Sequence, residues 1–245
     1  MIRVGIGGWN FAPWRGLFYP AGLPQARELQ HASSRLTSIE INSTFRTTPS
    51  PATFKKWAAE TPDDFVFSVK ASMGATMTSD LRETGEGIAK FTAGLPELGD
   101  KLGALLFALA PAKKFNAEEI AAYLALLPKK IGKRPARCAI EVTSETFAVP
   151  QFYDLARKHN VAIVFVDSGG KRKGIDEPTA DFAYARLKGA TAEEETGYSA
   201  AALKQWAKKA KNWSDEGNRD VFVYFISAAK ERNPAAAEAL IKLVK

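Results

Sequence analysis

The run Ser38-Ile39-Glu40-Ile41-Asn42 decides the fold. Side chains alternate across a strand, so a strand here sets Ile39 and Ile41 on one face and Glu40 with Asn42 on the other. The isoleucines suit a layer beneath helices, and the acid and amide are left to face the interior of a closed sheet. Seven further apolar runs, at residues 3–7, 65–70, 104–109, 138–142, 162–167, 182–187 and 221–225, have the length of strands. Stretches of helical periodicity separate them at 25–35, 50–60, 88–98, 117–127, 150–158 and 200–212, and a closing helix is expected at 234–244. That alternation implies a parallel sheet covered by helices. Eight alternations in 245 residues match an α/β fold of the (β/α)8, TIM-barrel-like kind, read as a single domain over residues 1–245. Only 169–180 separates the sixth and seventh strands, and Gly169, Gly170 and Pro178 fall within it, so that crossover helix is expected to be missing or reduced to a turn.

Local signals agree with this layout. Ser50-Pro51 offers a cap and a first-turn proline, and Asn116 precedes Glu118 and Glu119 in a first turn that favours acids. Leu203, Trp206, Ala207 and Ala210 share one helical face, with Lys204, Lys208 and Lys211 on another. The composition, 46% hydrophobic and 25% charged, excludes disorder and coiled coil. The longest apolar stretch, 103–111, is about half the length of a membrane span, and the first residues lack the apolar core of a signal peptide. A cytoplasmic protein that does not touch membranes is expected, and the single cysteine, Cys138, suits a reducing compartment. The net charge of +7 is uneven: residues 1–122 hold 13 basic and 12 acidic side chains, residues 123–245 hold 21 and 15. The second half therefore attracts anions, small ones or nucleic acid, although its basic residues are scattered and not striped.

Barrels carry their chemistry at the carboxyl ends of the strands. By parity, Glu40 and Asn42 face inward there, as do Ser68 and Lys70 on the third strand and Glu141 on the fifth. Asp167 ends the sixth strand, Arg186 the seventh, and Tyr224 closes the eighth. Unpaired polar groups in a dry interior cost several kcal/mol each, so these must meet one another, water or a ligand. Two readings stand: a ligand site, or an ion network of Glu40, Glu141 and Asp167 against Lys70 and Arg186 that plugs the barrel.

The chain also resembles a known family, the domain of unknown function 72 or YecE-like proteins. The likeness rests on Gly5-Ile6-Gly7-Gly8-Trp9 with Trp14, Arg15, Gly16 and Phe18-Tyr19-Pro20, on Glu40-Ile41-Asn42-Ser43-Thr44-Phe45, and on Pro49-Ser50-Pro51 with Thr53-Phe54 and Trp57. It continues through Thr61-Pro62 with Phe65, Phe67 and Lys70, Leu98-Gly99-Asp100-Lys101-Leu102-Gly103, Ala180-Asp181-Phe182, Arg186-Leu187, Gly197-Tyr198 and Val223-Tyr224-Phe225. The resemblance implies a (β/α)8-like barrel and no established activity. By this resemblance the chain looks like a divergent member: Glu141-Val142-Thr143-Ser144 and Phe147 stand where the family has Glu-Val-Arg-His and a following Trp, and Arg186-Leu187-Lys188-Gly189 where it has Arg-Leu-His-Gly. Ala108-Leu109-Ala110-Pro111 replaces Gln-Leu-Pro-Pro, Phe225-Ile226-Ser227 replaces Phe-Asn-Asn, and Glu231-Arg232-Asn233-Pro234 replaces Gly-His-Ala-Pro, with Ala236 in place of an asparagine.

The only histidines, His31 and His159, lie away from the carboxyl ends, so a Ser-His-Asp relay or a multi-histidine metal site lacks its imidazoles. No cofactor is expected, although a divalent cation held by Glu40, Glu141 and Asp167 is compatible with the residue types. The segment Gly169-Gly170-Lys171-Arg172-Lys173-Gly174 at the barrel mouth could surround an anion or remain a solvated loop. Lys129, Lys130, Lys133 and Arg134 precede the fifth strand, on the opposite face. Trp9 and Trp14 could wall a substrate or pack as a lid.

Three functions follow. An enzyme acting on a small anionic molecule would use Glu141 or Glu40 as base, Lys70 and Arg186 to stabilise a developing anion, and Asp167 to orient one of them. Lys70 could instead form a Schiff base, a role that the nearby carboxylates oppose. The alternatives are a non-catalytic barrel that binds an anion or a partner, and nucleic-acid binding through 169–174. Nothing in the sequence sets an oligomeric state.

Overall fold

A computed structural model describes residues 1–245. Eight parallel barrel strands follow one another: β1 (Ile2–Gly7), β2 (Ser38–Ile41), β3 (Val66–Lys70), β4 (Leu102–Ala108), β5 (Cys138–Glu141), β6 (Ala162–Ile163 and Phe165–Asp167), β7 (Phe182–Leu187) and β8 (Asp220–Phe225). The hydrogen-bonded order is β5-β4-β3-β2-β1-β8-β7, and β6 closes the ring by changing partner. Its first half pairs with β5 at Ala139↔Ala162 and its second with β7 at Leu187↔Asp167. Between the halves, the Val164 N–H still donates to the Ile140 carbonyl at 2.9 Å.

The helices are α1 (Glu28–Arg35), α2 (Pro51–Ala59), α3 (Met73–Thr76), α4 (Gly85–Thr92), α5 (Ala117–Leu126), α6 (Pro150–Lys158), α7 (Ala200–Ser214) and α8 (Asn233–Val244). Ser50 caps α2 by accepting from the Thr53 N–H, and Asn116 caps α5 by accepting from that of Glu119. The helix expected over 88–98 divides into α4 and a 3-10 segment, Leu95–Lys101. Pro96 cannot donate within a continuing helix, and Gly94 lies so close to the Phe54 ring that a Cβ there would sit 3.1 Å from it. A short antiparallel pairing of Lys130–Ile131 with Arg134–Pro135 fills the loop before β5, which the periodicity did not suggest.

No helix joins β6 to β7. In its place α7 reaches across: Phe165 packs on Trp206 and Trp213, with ring centroids 5.8 and 5.2 Å apart, and the Lys209 ammonium sits 4.2 Å above the Phe165 ring. Trp213 Nε1 and Lys209 Nζ both donate to the Asp176 carboxylate, at 2.7 and 2.6 Å, and pin the helix-free segment against α7. The strand thus keeps an apolar cover without its own crossover helix.

Most of the core lies outside the barrel. A cluster of 49 buried residues between sheet and helices contains Val4, Ile6, Ile39, Ile41, Phe67 and Val69, the outward members of β1 to β3. Inside, ten residues including Leu106, Ala139, Val164, Tyr184, Phe222 and Tyr224 form a separate cluster. The inward positions of β1 are Gly5 and Gly7, and a Cβ on Gly5 would collide with the Ser38 carbonyl of β2. Gly5→Ala is therefore expected to lower stability by about 3 kcal/mol or more, read from urea unfolding. A variant within about 0.5 kcal/mol of the native chain, the range of a harmless surface change, would show that β1 can shift to admit the methyl.

Candidate functional site

Arg186, at 5% exposure, projects from the carboxyl-terminal part of β7 into the barrel. Its Nη2 donates to Glu40 Oε1 of β2 at 3.0 Å and its Nη1 to Glu141 Oε2 of β5 at 2.5 Å. Glu40 is fully buried, and its other oxygen accepts from the Tyr184 hydroxyl at 2.7 Å. The second oxygen of Glu141 accepts from Lys188 Nζ at 2.6 Å. Burial by itself would raise the pKa of Glu141, but Arg186 and Lys188 outweigh it and hold the carboxyl at about 2, against an ordinary 4.5. Beneath this network Tyr224 bonds to Ser38 and Ser68, at 2.6 and 2.7 Å.

Two carboxylates and two cations thus form a closed quartet. Lys188, two residues beyond Arg186 on the same face, supplies the fourth charge, and parity along β7 was the signal that could have named both it and Tyr184. Lys70 stands apart. It is half-buried at the end of β3, with no carboxylate within 4.0 Å and no hydrogen bond from its ammonium, which lies 4.2 Å over the Phe45 ring. Burial and then the Arg186 charge lower its pKa, against the opposing pull of Glu40 and Glu141. The two carboxylates oppose the shift, as the sequence implied, but desolvation and Arg186 outweigh them.

Lys70, Glu141, Arg186 and Lys188 line a cavity of about 720 Å³ at the carboxyl ends of β3 to β7. Its remaining wall is mixed: apolar at Met77, Ala108, Val164 and Val166, and hydroxyl-bearing at Thr143 and Ser144. Arg172 and Lys173 reach it from the loop after β6, where Gly169 and Gly170 take φ of +66° and +83°, a turn open to glycine. Arg172 is anchored there, Nη1 donating to the Thr143 carbonyl at 2.5 Å. Lys171 is exposed and off the cavity wall.

Other residues singled out from the sequence lie elsewhere. Asp167 has the parity of Phe165 and Leu187, on the outer side, and Val164 and Val166 take the inward positions of β6. Its oxygens accept from Gly169 N, Gly189 N and the Tyr198 hydroxyl, at 2.9, 3.2 and 2.7 Å. The three acids Glu40, Glu141 and Asp167 therefore do not converge, and no group of three His, Cys, Asp or Glu side chains is placed to hold a metal ion. Trp14 is 1% exposed, donating Nε1 to the Lys230 carbonyl, and Trp9 packs edge-on against Trp57, so neither walls the cavity. Glu40 and Tyr224 lie below it, and Asn42 stands beside Gly7 and Ile226 with its Oδ1 buried and without a partner. Burial pushes the Cys138 thiol up to about 12, which leaves it inert. No helix is long and apolar enough to cross a membrane.

The model of a family described as "Protein of unknown function DUF72" matches residues 3–245. The UPF0759 protein YunF of Bacillus subtilis is 30% identical over 162 residues, 63% of this chain and 55% of YunF, so the matched stretch spans about half the length of that relative. Among solved structures, a DUF72 family protein of Thermotoga maritima superposes with a TM-score of 0.78 at 25% identity, covering 98% of this chain and 97% of that one. One of Enterococcus faecalis gives 0.73 at 18% identity, covering 100% and 95%, and speaks for the fold alone.

The quartet makes a demand on pH. The pKa of Glu141 is lower in the folded chain than its ordinary 4.5, so the stability it contributes is complete above about 4.5 and is lost as pH falls towards about 2. Glu141→Gln, which leaves Lys188 and one arm of Arg186 uncompensated, should cost about 3–5 kcal/mol at neutral pH. That gap should narrow steadily in urea titrations at lower pH. A gap of constant size down to pH 3 would mean that the charge of Glu141 contributes nothing.

Proposed function

The chain belongs to the DUF72 family, whose reaction is not established, and from that premise we propose that the cavity at the carboxyl ends of β3 to β7 binds a small molecule bearing a carboxylate or phosphate, with Lys70 as the group that exchanges protons with it. The observation that carries this reading is a surplus of positive charge. The cavity wall holds five cationic side chains, Lys70, Arg172, Lys173, Arg186 and Lys188, against the two acids Glu141 and Glu145. The quartet is balanced within itself, so Lys70 and the two loop cations are left to meet an anion. A cavity of about 720 Å³ lies within the range of small-molecule sites, and its apolar patches would take the carbon skeleton.

Glu141 is a poor base in this setting, since a carboxylate bridged by two cations gives up little of its charge. Lys70, with a lowered pKa and no bond to break, is the better proton acceptor. The same geometry weighs against a nucleic-acid surface: Arg172 turns inward to Thr143 and lines the cavity with Lys173, so the basic loop supports a concave site and not a stripe.

The test compares the native chain with Lys70→Met in a thermal-shift series with phosphate, lactate and phosphoglycolate. The variant gives up no ion pair, so it should melt no lower than the native chain. A ligand near a hundred times its dissociation constant should raise the native melting temperature by about 5–10 °C and the variant far less. Equal shifts in both proteins, or none in either, would remove the reading.

A further inference from the structure

We propose that Lys70 is a carbonyl-trapping nucleophile, which forms an imine with the aldehyde or ketone carbon of a small molecule whose carboxylate or phosphate is held by Arg172, Lys173 and Lys188. The inference rests on the anion-binding reading above and goes past it to a covalent step. Two lysines share the cavity wall, and the structure gives them opposite tasks. Lys188 is tied to Glu141 at 2.6 Å, so freeing its amine would strand a buried carboxylate. Lys70 has no such partner. Losing its proton breaks no ion pair and forfeits only its contact with the Phe45 ring.

Position points the same way. Lys70 is the last residue of β3, on the inward face, and its backbone is held by the Thr44 hydroxyl donating to its carbonyl at 2.6 Å. The charged groups that face its ammonium are Arg186, Lys188, Glu40 and Glu141, and the first two discourage a further positive charge beside them. Desolvation acts in the same direction, as in lysines that serve as amine nucleophiles. Glu40 and Glu141 pull the other way but are outweighed, each being bonded to Arg186 and Glu141 also to Lys188.

The step is balanced without an oxidant or reductant. The neutral Nζ attacks the carbonyl carbon, and the carbonyl oxygen takes up a proton as Nζ gives one up, which yields a carbinolamine. Its hydroxyl leaves as water with a proton taken from solvent in the cavity, and a C=N bond to Nζ remains. Water returns by the reverse route and releases the carbonyl compound. Thr143 and Ser144 supply hydroxyls on the same wall to hold the substrate oxygen.

The experiment is reductive trapping. The native protein is incubated separately with pyruvate, glyoxylate and dihydroxyacetone phosphate in the presence of sodium cyanoborohydride, then weighed intact and mapped by peptide mass spectrometry. The expected result is one adduct per chain, on the peptide containing Lys70, at about tenfold the level of any other lysine, because a lower pKa leaves more free amine. Adduct from the two oxo acids alone assigns a carboxylate ligand, and from dihydroxyacetone phosphate alone a phosphate one. Label spread evenly over surface lysines such as Lys204 and Lys208, or absent from the Lys70 peptide, overturns the imine. The native peptide map decides this without a variant, and Lys70→Arg, which keeps the charge but cannot condense, should lose the adduct while melting as the native chain does. If trapping fails while lactate and phosphoglycolate, which carry no carbonyl able to condense, still raise the melting temperature, the anion site stands and only the covalent step falls. If neither occurs, both fall.

Discussion

A guanidinium buried inside a barrel must have its charge answered, and Arg186 meets that constraint at both terminal nitrogens with acids from two distant strands, while its Nε is buried without a partner. Glu40 comes from β2 and Glu141 from β5, so the planar fork of one side chain ties three strands together at one level of the barrel. Tyr184 and Lys188 then become necessary, because each acid has a second oxygen that the fork cannot reach. The order of dependence runs from the arginine outward: without it, two carboxylates would sit almost dry within reach of each other's field, and the fold would have to protonate or expose them.

How much of this could be read in the amino acids depends on which rule governed each residue. Alternation along β2 and β7 placed Ile39, Ile41, Glu40 and Arg186 on their proper faces, because flat regular strands obey a period of two. Asp167 was misplaced not by the rule but by taking the strand's end for an inward position: alternation runs unbroken through β6, with Ala162, Val164 and Val166 inside and Ile163 and Phe165 outside, and that parity turns Asp167 outward. Trp9 and Trp14 follow a strand that ends at the mouth, yet their apolar area is too large to leave facing a polar cavity, and both pack into the outer core, which sequence position alone does not reveal. The absent helix after β6 was legible from the glycines and proline in the gap. Its replacement by Trp206, Lys209 and Trp213 of α7 was not, because that contact joins segments far apart in the chain.

The plug and the ligand site, which the sequence left as rivals, need not exclude each other, because an ion network and an open cavity lie at different depths. The buried quartet balances its charges, as a plug would, but it does so with Lys188 where a plug built from Lys70 was expected. Above it the wall opens into a cavity where Lys70, Arg172 and Lys173 outnumber the one remaining acid, Glu145. Balance below and surplus above are one arrangement seen at two levels.

Lys188 is where this chain departs from the pattern of the family it belongs to, which the resemblance gives as a histidine. An imidazole changes its charge within the neutral range, so a quartet closed by histidine would gain and lose a charge with pH, and Glu141 would be short of a partner whenever the ring was neutral. An ammonium donates to Glu141 from a flexible stem and completes the charge balance of the quartet. With that neutrality secured, nothing in the buried network calls on Lys70, and its amine is left facing the cavity. The substitution that looks at first like the loss of an imidazole is, in charge terms, what leaves Lys70 without an ion-pair partner.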